Sequence, residues 1–239
     1  MEQILPIVAA GLVAGLVHVY MGADHLAALL PISIGRKAQA AWLGVRWGIG
    51  HSLGVLVVAV LLLVTRASID LLLVGVWGER LVGVMLIAFA VLGFRAAYRN
   101  RFHLHEHSHD GSTHAHLHVH DASDAHAQTH SQPAVTHLHR HAAFGAGTLH
   151  GVGGMAHVMG VLPSLALPAL TGSIAYLGAF AAGSIAAMAI YAAAIGVLTA
   201  RFGGLSAWLP RAMMVVASSA CLLVGVGWIV APLMGYELP

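Results

Sequence analysis

Long apolar stretches alternate with short polar ones along this chain, and one polar tract interrupts them near the middle. A run of about 20 apolar residues can cross a bilayer as a helix. Six such runs are read at 5–33, 41–65, 79–98, 143–168, 174–199 and 212–233. The first is too long for one straight span, and Gly22, the Asp24-His25 pair and Pro31 inside it predict a kink or a break. The third begins with Glu79 and Arg80, expected at the membrane edge with 67–78 as an interfacial segment. Two stretches also repeat at an offset of 132 residues: Gly15, His18, Gly22, His25, Leu30 and Pro31 recur as Gly147, His150, Gly154, His157, Leu162 and Pro163. The pattern predicts an all-α integral membrane protein of six transmembrane helices in two inverted three-helix repeats. Residues 1–101 form the first unit, 143–239 the second, and 102–142 lie between them. Such repeats place a binding site near the bilayer midplane, where His25 and His157 are expected to meet.

Composition agrees with the membrane assignment. Of 239 residues 59% are hydrophobic and 8% charged, against about 25% charged in a soluble domain. The eleven Lys and Arg are scattered and the net charge is +2, so the basic patch that a nucleic-acid binder needs is missing. A single cysteine, Cys221, excludes intrachain disulfides and multi-cysteine metal sites. The opening Met1-Glu2-Gln3 lacks the basic start of a cleaved signal, so the first apolar run is expected to be retained. Nine of the eleven basic residues flank the first, third and fifth loops; Arg66 and Arg80 flank the second. Positive charge stays cytoplasmic, which predicts both termini outside and the central tract in the cytoplasm.

That tract, 102–142, holds thirteen of the eighteen histidines, largely alternating from His103 to His109 and from His114 to His120. Its low apolar content predicts a disordered loop. Neutral imidazole is a good donor for Zn, Ni, Co and Cu, so the tract is expected to bind divalent transition metals without selecting one.

The remaining histidines lie in apolar runs, where an ionisable group is costly and marks a functional site. The candidate metal ligands are His18, Asp24, His25, His51, His150 and His157. On an unbroken helix His18 and His25 would stand roughly 10 Å apart along the axis. They are therefore two successive stations, or Gly22 lets the helix unwind and brings them together. Asp24 can neutralise a dication or orient an imidazole. A hydrated dication cannot enter hydrocarbon, so nitrogen and oxygen ligands must replace its water. Nearby glycines let helices approach closely. Met21, Met155 and Met159 suit packing better than thioether ligation, and the five tryptophans suit interfacial anchoring or packing.

The stretch His18 through Gly22-Ala23-Asp24-His25-Leu26-Ala27-Ala28-Leu29 resembles the first-helix signature of nickel/cobalt transporter-like membrane proteins, including urease-accessory-type transmembrane proteins. Gly50-His51-Ser52 resembles their second signature, and His150-Gly151 through His157 and Pro163 resembles the matching element of the second half. A histidine-rich loop between the third and fourth spans is similar to that of nickel/cobalt efflux relatives. The resemblance implies a transporter of divalent transition-metal ions, Ni(II) or Co(II) first and Zn(II) after them, in a bacterial inner (plasma) membrane, with no permanent cofactor and no enzymatic activity. A cytoplasmic collector slightly favours export over import. The alternatives are a membrane-anchored nickel store or delivery protein for a metalloenzyme, and an exporter of a small anion such as sulfite. The last would place basic or hydroxyl groups towards the anion, and no Lys or Arg lies in the middle of a clear span. The expected partners are the metal ion and the lipid bilayer.

Overall fold

The computed structural model describes residues 4–37, 39–65, 71–98, 102–109, 112–119, 135–203 and 208–234. Eight helices follow one another: α1 (Ile4–Met21), α2 (Ala23–Ser33), α3 (Gln39–Thr65), α4 (Leu71–Tyr98), α5 (Val135–Val152), α6 (Met155–Leu165), α7 (Leu170–Gly203) and α8 (Leu209–Val230). Between α4 and α5, strands β1 (Phe102–His109) and β2 (Ser112–Val119) pair antiparallel. A helix satisfies its own backbone polar groups, which is what lets an apolar segment enter hydrocarbon.

Among the described residues, five helices are long and apolar enough to cross a membrane: Ile4–Met21, Gln39–Leu61, Gly75–Tyr98, Leu170–Phe202 and Leu209–Met234. Three of the six expected spans are changed. The first, 5–33, is α1 and α2 separated at Gly22. The fourth, 143–168, is divided between α5 and the 11-residue α6. Eleven helical residues reach only about 16 Å, roughly half the hydrocarbon thickness, and the first turns of α5 carry His137, His139, Arg140 and His141. The third starts earlier than expected, because α4 is continuous from Leu71 through Glu79 and Arg80; of the segment expected at 67–78, residues 67–70 lie outside the described residues. Glu79 is buried in the protein, and the Arg80 guanidinium lies 5.0 Å from the centre of the Trp77 ring. In the central tract the strands and the start of α5 occupy residues expected as a disordered loop.

The short helices are the inner elements. α2 packs on α7 and α8, and α6 on α4, α7 and α3, while the long helices pair as α1 with α7, α3 with α5 and α4 with α8. Two seams of small residues bring backbones together. A side chain on Gly50 or Gly54 of α3 would run into the carbonyls of Phe144 and Thr148, and one on Gly147 or Gly151 of α5 into those of Trp47 and His51. Gly11 and Gly15 do the same for α1 against Tyr176 and Phe180 of α7. Without a hydrophobic drive between helices in lipid, such close approach supplies the packing energy. Apolar side chains such as Leu5, Val13, Leu56, Val84, Ile174 and Leu223 face outwards.

Pro31 does not break α2, which continues to Ser33. Proline has no N–H for the carbonyl one turn back, which here is that of Ala27. The Cys221 thiol of α8 donates to that carbonyl at 2.9 Å. The one cysteine thus satisfies a backbone group freed by a proline.

Candidate metal centre

Gly22 sits between α1 and α2 with extended backbone (φ −78°, ψ 101°). The turn there brings the His18 and His25 ring centroids to 4.7 Å. The same device recurs at Gly153-Gly154, between α5 and α6. Gly154 has φ 106°, in the region that favours glycine, and the His150 and His157 rings lie 5.7 Å apart. α3 contributes His51, beside Gly50 in the seam with α5. Every histidine outside the central tract therefore reaches one place, and His25 and His157 stand 5.5 Å apart as expected.

The contacts are specific. His51 Nε2 lies 3.1 Å from His25 Nε2 and 2.9 Å from His157 Nε2. His18, His25, His51 and His157 each offer one ring nitrogen, all within 4.8 Å of one another. Asp24 Oδ1 lies 2.9 Å from His25 Nδ1 and also accepts from the His25 backbone N–H at 2.9 Å. Its other oxygen is 3.3 Å from His150 Nε2, without the alignment of a hydrogen bond. Asp24, His25 and His150 form a second group of potential ligands sharing His25 with the first. His25, His51, His150 and His157 are fully or almost fully buried, as is Asp24.

Hydrogen bonding alone does not account for this arrangement. An imidazole nitrogen carries either one proton or one in-plane lone pair, so His51 Nε2 cannot bond well to two nitrogens at once. The Nε2 of His18 is buried without a hydrogen-bond partner, which is costly in an apolar interior. An ion among the four nitrogens would satisfy them together. Tetrahedral coordination with metal–nitrogen bonds of about 2.0–2.1 Å sets ligand nitrogens about 3.3 Å apart, a few tenths of an ångström beyond the spacings around His51. Asp24 would fix the tautomer of His25, holding the proton on Nδ1 and leaving Nε2 free to ligate.

Around the cluster, Phe180 of α7 packs 5.4 Å from His18 and Trp47 5.9 Å from His150. Trp47 is fully buried and its indole N–H has no hydrogen-bond partner among the described residues. Neither residue was singled out by the sequence, although Trp47 lies one turn before His51 on the same helical face. Met21 and Met159 are exposed on the outside of the bundle, so they are not thioether ligands here. The side chain of Met155 lies outside the described residues.

Comparison with known proteins changes the lineage. No family model matches the chain, and no solved structure matches it. It is 30% identical over 230 residues to Chloroplast protein FOR GROWTH AND FERTILITY 1 of Arabidopsis thaliana, covering 95% of this chain and 60% of that protein. It is 30% identical over 187 residues to Chloroplast protein FOR GROWTH AND FERTILITY 2 of the same plant, covering 78% of this chain and 46% of the relative. The chain thus spans about half the length of these curated relatives. The nickel/cobalt transporter resemblance is overturned. It rested on three short stretches of buried histidines and glycines, and such residues follow from imidazole chemistry in a close-packed bundle as readily as from descent. The bacterial inner membrane falls with it, because these relatives are chloroplast proteins and the bias of basic residues says nothing about which membrane is crossed.

Proposed function

We propose that this protein carries a divalent transition-metal ion across a membrane, with the His18, His25, His51 and His157 cluster as the station where the ion is held. The convergence of two further Nε2 atoms on the Nε2 of His51 carries this reading. His51 lies next to the middle of its candidate span, Gln39–Leu61, where a solvated ion cannot rest. The substrate is an ion that favours imidazole: Zn(II), Co(II), Ni(II) or Cu(II). Nickel and cobalt have no special claim among them. The Asp24, His25 and His150 group is a second station, and the shared His25 lets the ion pass between the two without being left bare of ligands. The chain acts as a transporter with no permanent cofactor, not as an enzyme. The compartment to which the relatives point is the chloroplast.

Two related halves support a transport reading. Exchange of the halves turns the α1–α7 contact into α5–α3, and α2–α8 into α6–α4, while α3–α7 and α4–α8 map onto themselves. The His18–His157 centroid distance of 5.0 Å has its counterpart in 4.4 Å for His25–His150. We take the bundle as one unit used twice, with four helices in each half, so that rocking of one half against the other would expose the cluster to either side in turn.

Purified protein in liposomes tests the proposal. Zinc or cobalt flux followed with an entrapped indicator is expected for the wild type and should be abolished by His51→Ala. No flux through inserted wild-type protein, or an undiminished rate in His51→Ala, overturns it.

A further inference from the structure

The ribbon of β1 and β2 carries a second pattern, independent of the buried cluster. Its register sets His103 opposite His118, His105 opposite His116 and His107 opposite His114. Residues two apart on a strand share a face, so these three cross-strand pairs lie in a row on one face. The other face carries Phe102 opposite Val119, Leu104 opposite Leu117, Glu106 opposite Ala115 and Ser108 opposite Thr113. Slippage by one residue would set each of the six histidines opposite a residue other than histidine, and would move one strand's set to the wrong face. The two residues joining the strands in sequence are Asp110-Gly111, the type of pair that two-residue hairpins favour. The alternation, the connector and the register therefore agree.

A two-stranded ribbon is marginal in water without further support, and a row of imidazoles supplies no apolar core. A ligand for those imidazoles would supply the support. Opposed residues in such a pair have Cβ atoms about 4.5–5.5 Å apart, a separation that two imidazoles can span to share one ion with bonds of about 2.0–2.1 Å. We propose that the histidine face of the ribbon is a row of three metal sites, one per cross-strand pair. They take imidazole-seeking divalent ions such as Zn(II), Ni(II), Co(II) or Cu(II). Metal binding and ribbon formation are then one equilibrium, as in other small metal-folded units. A formless histidine-rich tract would differ, because there only the number of histidines matters.

Two double variants that remove equal numbers of histidines separate these cases. His105→Gln with His116→Gln deletes one pair and leaves two intact. His103→Gln with His114→Gln breaks two pairs and leaves one. Full-length protein in detergent, stripped of metal, is titrated with Zn(II) against a chromophoric chelator. The first variant is expected to lose one tight site relative to wild type, and the second to lose two. Equal losses in the two variants, or no loss in either, overturn the proposal. The buried cluster is the same in all three proteins, so the outcome is separate from the fate of the transport reading.

Discussion

His51 is the hub of the buried cluster, and Asp24 orients the His25 ring that meets it. The carboxylate holds the His25 ring by Nδ1 and the His25 backbone N–H together, so the ring has one orientation and its Nε2 faces His51. Loss of such an outer partner typically costs a metal site about 10–100-fold in affinity. Asp24→Asn keeps an acceptor for the Nδ1 proton and should fall in that range, while Asp24→Ala should lose more. Competition titrations with Zn(II) in protein lacking residues 103–141 measure the difference, and equal affinities in all three forms would remove Asp24 from the site. Gly22 matters for space. A Cβ there would press on His25 Nδ1 and Asp24 Oδ1, so Gly22→Ala is expected to weaken metal binding while helix content by circular dichroism is retained. At this scale much was legible, because a histidine in an apolar run is conspicuous. The pairing of Asp24 with His25 was open in the sequence, since neighbours on an ideal helix point about 100° apart; in the structure both lie in the first turn of α2, where the His25 backbone N–H is free to bond the carboxylate. Trp47 was hidden among residues that merely pack.

The helices are arranged by their interruptions more than by their lengths. Gly154, with positive φ, turns the chain between α5 and α6 and lies against the His157 ring. An L-residue at positive φ with extended ψ costs about 1–3 kcal/mol, so Gly154→Ala should lower thermal stability and metal affinity together. Unchanged values in a thermal melt and a Zn(II) titration would contradict that. The Cys221 thiol bond to Ala27 predicts a different outcome. Cys221→Ser keeps a donor and should be tolerated, whereas Cys221→Ala should lose about 1 kcal/mol, read from the same melts. The break at Gly22 was legible because Asp24, His25 and Pro31 follow it. That at Gly153-Gly154 was not, since its glycines read like the packing glycines of the neighbouring turns. The start of α4 was hidden for another reason: the Glu79-Arg80 pair interrupts the apolar run in sequence, while the helix runs through it.

On the proposed two-half plan, the halves are unequally furnished. At the offset of 132 residues, His51 corresponds to Gly183 and Asp24 to Ala156, so the first half brings the carboxylate and the fifth imidazole. The meeting of the matched histidine pairs was legible in the sequence, but the sequence shows neither the divided fourth span nor the convergence of α3 on the cluster. Descent was misjudged, because short ligand motifs follow from coordination chemistry and recur wherever it is needed. The central claim is that the buried histidines hold a metal ion, and anomalous scattering tests it most directly. Crystals soaked in Zn(II) or Co(II), with data collected on either side of the metal edge, should give a peak bonded to the Nε2 atoms of His25, His51 and His157 at about 2.0–2.2 Å. The absence of density there at saturating metal, with His51 still 2.9–3.1 Å from both imidazoles, would contradict the account.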